Sequence, residues 1–139
     1  MSVEYDTTFN PADEDTRRLA RGLAAHSRDF TDGEGFEPVA VFLRDETGEI
    51  TGGVSAYLNW NWLQVSLLWV EKSLRGSGHG SQLMQNIEEV GRENGCTGAH
   101  VSTFGFQAKT FYESLGYEVF ASLGDYPPGH TKYLLKKGL

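Results

Sequence analysis

The chain is poor in cysteine and in basic residues, and each shortage excludes a class of protein. One cysteine among 139 residues cannot form an internal disulfide, which excludes a small scaffold held together by disulfides. Lysine and arginine number 12 against 19 aspartate and glutamate residues, for a formal net charge of −7. Because nucleic acids are bound by clustered cations, we expect no nucleic-acid partner and mildly favour a cationic or neutral ligand.

Long apolar runs are also missing. No stretch approaches the roughly 20 apolar residues that a membrane-spanning helix requires, and the opening MSVEYDTTF is too acidic and polar for a secretory signal. We therefore expect a cytoplasmic protein without a membrane partner. Cys96 follows a helix stop at Asn94-Gly95 and has no evident catalytic partner nearby in sequence, which predicts a buried structural thiol.

The length and the continuous pattern of elements predict one domain over residues 1–139. The predicted order is strand, helix, three strands, helix, strand, helix and two strands. The first strand is expected at residues 3–9, followed by a helix that starts at Asn10-Pro11 and by a loop at 31–35. This order fits a mixed α/β sheet, part antiparallel and part parallel.

The three consecutive strands are expected to form an antiparallel meander. They are Pro38–Leu43, Ile50–Leu58 and Trp62–Val70. Gly52-Gly53, inside the second strand, predicts a bulge or bend without a chemical role. Trp60 and Trp62 lie at the next hairpin tip, where packing in the core or at a dimer interface is favoured over lining an acceptor pocket.

A glycine-rich loop joins the third strand to an amphipathic helix in the stretch LLWVEKSLRGSGHGSQLMQNIEEVG, residues 67–91. Gly76, Gly78 and Gly80 are expected to take positive φ and to let a ligand approach the backbone closely. The helix presents unpaired N–H groups at its positive end. A phosphate or pyrophosphate is therefore the expected occupant of this junction.

Two common phosphate-binding loops do not match this junction. A P-loop needs Lys and then Ser or Thr after its last glycine, whereas Ser81 and Gln82 follow Gly80. The dinucleotide fingerprint needs G-x-G-x-x-G spacing and an acidic residue after the next strand, but here the glycines alternate and the strand at 99–103 ends without an acid. The remaining pattern, Arg75-x-x-Gly78-x-Gly80, resembles the coenzyme A loop of the GNAT superfamily of N-acetyltransferases.

A second motif supports this resemblance. The segment FQAKTFYESLGYEVF, residues 106–120, places Ala108, Phe111, Tyr112 and Leu115 on one helical face and ends the helix at Gly116. It is similar to the family's Ala-x-x-hydrophobic-Tyr helix, which is followed by an acidic residue and a Gly-aromatic pair. The resemblance implies a GNAT-like central sheet of about seven strands, part antiparallel and part parallel, flanked by about three to four helices.

The resemblance also implies an activity. The chain would be an acetyl-CoA-dependent N-acetyltransferase that transfers an acetyl group to a primary amine by direct attack in a ternary complex, without a metal. The acceptor would be an amine-bearing small molecule, and a homodimer is also open. Backbone groups of Leu68, Trp69 and Val70 would pair with the pantetheine arm. The other cofactor-binding residues are Arg75, Gly76, Ser77, Gly78, His79, Gly80 and Ser81.

By the same resemblance, Tyr112 matches the family's general acid, which would protonate the leaving thiolate. A backbone N–H near Val70 would polarise the thioester carbonyl. The general base is left open between Glu71, His130 and a water relay, because the strand that usually carries it offers no His or Glu here.

Two further features stay open at this stage. Gly105 stands seven positions before Tyr112, where the family often has Asn, so a cofactor contact expected from that Asn is in doubt. The turn Pro127-Pro128-Gly129 is interpreted either as a cap on the acceptor site or as part of a subunit contact. The rival to the enzyme is a non-catalytic acyl-CoA-binding sensor or interaction module.

Overall fold

A computed structural model describes residues 2–31 and 35–139. The chain divides into two compact units, Met1–Glu34 and Gly35–Leu139. Most of the loop expected at 31–35 lies outside the described residues. One domain over the whole chain stays a prediction.

The first unit contains one helix, α1 (Asp13–Ser27). Three acidic residues in its first turn lie at the positive end of the helix dipole, which favours this start. Ala12 is the N-cap residue, so the helix begins two residues later than the expected Pro11. The strand expected at residues 3–9 is wrong: residues 2–9 are exposed and in no strand. A short segment stays extended in a strand only where a neighbour accepts and donates its backbone hydrogen bonds.

The second unit is built on a six-stranded sheet. Its elements in chain order are β1 (Glu37–Arg44), β2 (Ile50–Asn59), β3 (Trp62–Val70), a 3₁₀ turn (Lys72–Leu74), α2 (His79–Glu93), β4 (Gly98–Phe104), α3 (Lys109–Ser114), β5 (Glu118–Leu123) and β6 (Lys132–Gly138). The strand order is β1-β2-β3-β4-β6-β5. β3 and β4 run parallel, and the other described pairs are antiparallel. The mixed α/β fold is confirmed, with six strands instead of about seven because the expected N-terminal strand does not form.

α2 packs its apolar side on one face of this sheet. Leu83, Met84 and Ile87 are buried together with Leu63 and Val65 of β3 in a single hydrophobic cluster. Full burial of each such side chain contributes about 1.5–3 kcal/mol. This packing holds the first turn of α2 at the end of β3, where the glycine-rich loop enters the helix.

A buried carboxylate also ties α2 to the sheet. Glu88 is 3% exposed and accepts hydrogen bonds from the Tyr117 hydroxyl at 2.8 Å and from Lys137 Nζ at 2.8 Å. Arg92 adds a second cation at 3.8 Å. A buried charge is tolerated only when it is paired and hydrogen-bonded, and Glu88 is both.

The glycine pair of β2 lies where backbones approach closely. A Cβ on Gly52 would come 2.9 Å from the Trp69 carbonyl oxygen, and one on Gly53 would come 2.9 Å from the Val41 carbonyl oxygen. The register also shifts beside this pair, since Leu43 faces Gly52 while Arg44 faces Ile50. Both glycines pair regularly with β1 and β3, so the irregularity lies at Thr51 and not at the predicted Gly52-Gly53. The lack of side chains at the two glycines lets β2 fit between its two neighbours.

The two tryptophans of the β2–β3 hairpin do not join the core, so the expectation of core packing is wrong. Trp60 is 51% exposed and takes a positive φ of 55°, because it forms the tight turn itself. Trp62 covers Gly98, where a Cβ would lie 2.6 Å from the indole ring. Their place in a dimer interface stays a prediction. Cys96, by contrast, is buried as predicted.

Within the two described ranges, none of the helices combines the length and the apolar character that crossing a bilayer would require.

Candidate active site

The parallel strands β3 and β4 pair over only part of their length. Their register runs from Trp62 opposite Gly98 to Val65 opposite Val101. Beyond that point β3 continues beside β2 up to Val70, while β4 continues beside β6 up to Phe104. The two strands therefore diverge, and among the described residues no strand fills the gap between their facing edges.

A β-bulge in β3 lies at the start of this divergence. Ala56 of β2 faces Val65, but the preceding Ser55 faces Leu67, so Ser66 is the extra residue. A bulge leaves one residue outside the regular ladder and bends its strand. The expectation that a backbone N–H near Val70 polarises the carbonyl stays a prediction, and the bulge provides a second irregular stretch of backbone at Ser66. Register is set by the partner strand, so nothing in the local sequence of β3 marks Ser66.

The diverging edges enclose a cavity of about 720 Å³. Ten of the eleven site residues expected from the sequence line it: Leu68, Trp69, Val70, Arg75, Gly76, Gly78, His79, Gly80, Ser81 and Tyr112. Ser77 does not. The residues that sequence reasoning missed are Ser66, Leu67, Leu74, Val101, Ser102, Thr103, Phe106, Gln107, Ala108 and Phe111. Most of them lie on β4 and on the connection to α3, which only the pairing of β4 with β3 brings to this cavity.

The glycine-rich loop ends in a helix start without a side-chain cap. Gly78 is the N-cap residue of α2 with φ 85° and ψ 6°, and Gly76 has φ 82°. The first intrahelical hydrogen bond of α2 runs from the Gln82 N–H to the Gly78 carbonyl, at 3.0 Å. The preceding N–H groups belong to the first turn, where a helix offers no intrahelical partner. The junction therefore presents donors and a positive dipole end to the cavity.

Gly80 differs from the expectation that all three loop glycines take positive φ. It lies in the first turn of α2 and is not among the positive-φ residues. A Cβ there would lie 3.4 Å from the Phe111 ring, an ordinary contact. The helical position of Gly80 therefore needs no left-handed conformation.

Arg75 connects the loop to the end of β3. Its Nε donates a hydrogen bond to the Val70 carbonyl oxygen at 2.9 Å. The side chain is exposed and lines the cavity, and the guanidinium group has further N–H donors with which it can bind an anion. A cation thus stands beside the helix start.

A polar network fixes the connection between β4 and α3. Thr103 is 3% exposed, and its Oγ1 accepts a hydrogen bond from the Ala108 N–H at 3.2 Å. The Thr103 hydroxyl also donates to Gln107 Oε1 at 3.3 Å. The Gly105 N–H donates to the Thr131 carbonyl at 2.8 Å. The backbone at this position, where the family often has Asn, therefore already has a hydrogen-bond partner within the protein. Ala108 is the N-cap residue of α3, so this network sets the start of the helix that carries Tyr112.

Tyr112 lies in the cavity wall and is 5% exposed. Its ring meets the rings of Phe111 and Tyr117 edge-on, at centroid distances of 5.3 Å and 5.7 Å. Burial raises the pKa of the Tyr112 phenol from 10.0 to about 12. The phenol therefore keeps its proton at neutral pH and is a hydrogen-bond donor.

Neither side-chain candidate for the general base lines the cavity. Glu71 is exposed beside the 3₁₀ turn. His130 is also exposed, and its ring meets the Phe106 ring edge-on with the two centroids 4.9 Å apart. His100 is half-buried on β4 opposite Gln64 and does not line the cavity either. Burial lowers the pKa of the His100 imidazole.

Together these features define a class of protein. A long ligand with amide groups can pair with the free edge of β3, and its anionic end can reach the start of α2. Acetyl coenzyme A has this order of groups, and the buried phenol of Tyr112 lies in the wall of the same cavity. No cluster of metal-ligating side chains occurs within the described ranges. The fold and cavity are those of an acyl-CoA-dependent acyltransferase.

Comparison with known proteins gives the family. The model of the acetyltransferase (GNAT) family matches residues 5–117. The chain is 46% identical over 104 residues to a blasticidin-S acetyltransferase from Streptomyces morookaense, covering 74% of this chain and 76% of that protein. It is 33% identical over 97 residues to an acetyltransferase from Agrobacterium fabrum, covering 70% and 71%. The chain therefore belongs to the GNAT family of acetyltransferases, and acetyl coenzyme A is its acetyl donor.

A solved structure agrees with this family. The crystal structure of an acetyltransferase from Bacillus cereus superposes with a TM-score of 0.82 at 30% identity, covering 96% of this chain and 98% of that one.

Proposed function

We propose that this acetyltransferase transfers the acetyl group of acetyl coenzyme A to a primary amine of a small molecule by direct attack in a ternary complex. The observation that carries the proposal is the free edge of β3, which leads from the Ser66 bulge to the uncapped start of α2. The similarity to an enzyme named for blasticidin S supports a small-molecule acceptor. We also expect one domain over residues 1–139, a cytoplasmic location and a homodimer.

In the proposed complex, backbone groups of Leu68, Trp69 and Val70 pair with the pantetheine arm. The pyrophosphate lies on the N–H groups of the loop and of the first turn of α2, from Gly76 to Ser81, with the Arg75 guanidinium beside it. The Arg75 N–H, which the sequence also predicts as a donor, bonds to the Lys72 carbonyl at 3.3 Å. Because the donors are backbone groups, the loop needs small residues more than it needs particular side chains.

In the transfer step, the amine nitrogen forms a bond to the acetyl carbon and the carbon–sulfur bond breaks, with its electron pair leaving on sulfur. The bulge at Ser66 frees backbone N–H groups near the place where the carbonyl would lie, and a donor there stabilises the developing oxyanion. Tyr112 donates a hydrogen bond to the leaving sulfur. Tyr112 thus acts as a hydrogen-bond donor, whereas the family resemblance implies a general acid that gives up its proton.

The pKa of Tyr112 decides how it assists. A free thiol has a pKa near 8.5, whereas the pKa of Tyr112 is about 12. Burial thus makes the phenol a weaker acid than a free phenol, which disfavours full transfer of its proton to the thiolate. We propose that Tyr112 stabilises the thiolate through its hydrogen bond, and that the amine supplies the proton that finally stays on sulfur.

In this proposal the ammonium form of the acceptor first loses one proton to water, and a second proton passes from the attacking nitrogen to sulfur. Among the described residues, the titratable side chains that line the cavity are Arg75, His79 and Tyr112, and none of them is a carboxylate. Glu71 lies outside the cavity and His130 touches only its rim through Phe106. A chain of water molecules is left as the route by which the ammonium group loses its proton before attack.

The experiment is a calorimetric titration with acetyl coenzyme A, coenzyme A and NADH, followed by a thiol-release assay across primary amines that include blasticidin S, polyamines and amino acids. We expect selective binding of the two coenzyme A species and release of thiol with at least one small amine. Binding without thiol release on the whole panel would favour the sensor or interaction module, and absence of binding would refute both.

A further inference from the structure

A cluster of three aromatic rings lies beside the cavity and has no part in the transfer step described above. Phe104 stacks on Phe106 with centroids 5.4 Å apart and planes 4° apart, and on Tyr126 at 5.6 Å and 21°. We call these three residues the aromatic cluster. Phe106 is 56% exposed and Tyr126 is 47% exposed, so two large, nearly parallel rings present free surface.

The aromatic cluster is continuous with the cavity. Phe106 itself lines the cavity, as does Ser102, which lies two residues before Phe104 on the same face of β4. Two residues of a strand span about 7 Å. A small molecule whose amine reaches the diverging edges of β3 and β4 could therefore place a second group, about 7–10 Å away, on the rings.

A lysine supplies the polar part of this surface. Lys132 Nζ lies 4.8 Å from the Tyr126 ring centroid and 5.9 Å from that of Phe104. Among the described residues no carboxylate lies within ion-pair distance of Lys132. Its ammonium group is therefore free to bind an acidic or strongly polar edge of a ring system that stacks on the cluster.

We propose that the aromatic cluster is the acceptor-binding surface, and that it selects amines which carry a planar, conjugated ring. The inference rests on the proposed N-acetyltransferase function and adds the chemical class of its acceptor. A planar ring offers a matching face for offset stacking on the Tyr126 ring, whereas a puckered aliphatic ring of the same size does not. Tyr126 is thus a specificity-determining residue that takes no part in the chemistry.

The test adds to the amine panel two acceptors of equal chain length whose rings differ in planarity, 4-phenylbutylamine and 4-cyclohexylbutylamine, whose extended chains reach the spacing between the reacting amine and the rings. One stacking contact of ordinary strength corresponds to a preference of about tenfold in kcat/KM for the planar amine. Tyr126→Leu should reduce this preference to about twofold or less. Tyr126→Phe keeps the ring and should keep the preference for the planar amine. A loss of folded protein would lower kcat/KM for both amines equally and would leave their ratio unchanged.

Phe120→Leu is the matched control. Phe120 is 49% exposed on β5 with Lys136 Nζ 5.9 Å from its ring centroid, much as Lys132 lies over the cluster, but it does not line the cavity. This variant should keep the wild-type preference. In all three variants the affinity for coenzyme A should stay within about twofold of wild type.

Three results would overturn the proposal. The first is no preference in the wild type, including failure to acetylate either amine while other amines on the panel react. The second is an equal loss for both amines in Tyr126→Leu. The third is a fall in coenzyme A affinity without a change in preference, which would make the adenine of the cosubstrate the occupant. Acetylation of no amine on the whole panel would instead refute the proposed function itself.

Discussion

Replacing Gly78 by alanine should separate cofactor binding from folding. Gly78 takes φ 85°, and a Cβ at this position would meet no heavy atom of the protein within 4 Å. The folding cost of Gly78→Ala is therefore the left-handed backbone conformation alone, about 1–2 kcal/mol. The lower entropy of the unfolded alanine chain offsets part of that cost, which leaves about 1 kcal/mol.

The expected loss of affinity is larger than this folding cost. The added methyl group extends into space beside the cavity, where the pyrophosphate is proposed to approach the backbone. A lost hydrogen bond to a charged group costs about 1.5–3 kcal/mol. We therefore expect the Kd for coenzyme A, measured by calorimetry, to rise about 10- to 150-fold.

Gly48→Ala is the matched control for this variant. Gly48 lies in the β1–β2 turn with φ 87°, and a Cβ there would also meet no heavy atom within 4 Å. Its backbone strain should match that of Gly78→Ala, with a fall in Tm of about 4 °C in each variant. If both variants fold and bind coenzyme A with affinities within twofold of each other, the anion site at Gly78 is refuted.

Two further predictions concern buried polar groups. Tyr112→Phe should lower kcat at least about tenfold without changing the Kd for coenzyme A, and unchanged turnover would remove Tyr112 from the mechanism. Because burial raises the pKa of Tyr112 from 10.0 to about 12, the unfolded state loses this proton at lower pH than the folded state. Stability should therefore fall between pH 10 and 12, by up to about 2.7 kcal/mol from this group, and urea unfolding of Tyr112→Phe should show a shallower fall. Lys137→Met leaves the Glu88 carboxylate without its closest cation and should lower the free energy of unfolding by about 3 kcal/mol. Lys109→Met, which breaks an exposed ion pair, should lower it by less than about 1 kcal/mol. Equal losses in the two variants would contradict the stabilising role of the buried pair.

Local sequence patterns predicted the half of the site that is local in the chain. The glycine-rich loop, the start of α2 and Tyr112 are each recognisable within a few residues, because glycine, helix ends and helical spacing act over short distances. The structure places them around one cavity. Gly80 shows the limit of this reasoning, since a glycine in a motif can lie in the first turn of a helix with ordinary φ.

The rest of the site depends on pairing between distant segments. Ser66 is an extra residue only relative to the register of β2, and Phe104 meets Tyr126 because β6 returns beside β4. Neither the bulge nor the ring contact can be predicted from the residues next to it in the sequence. The strand expected at 3–9 failed for the same reason, since an alternating pattern gives no partner for its hydrogen bonds.

The incomplete pairing of β3 with β4 has an energetic consequence for the whole protein. Where β3 and β4 diverge, their backbone N–H and C=O groups are not paired with each other and bond to water instead. A cosubstrate that pairs with these groups binds the folded chain and not the unfolded one, so its concentration enters the folding equilibrium. At 100 times its Kd, such a ligand adds about 2.7 kcal/mol to the free energy of unfolding. The bound acetyl donor would then take the place of a strand between β3 and β4, and the protein would be most stable with this ligand bound.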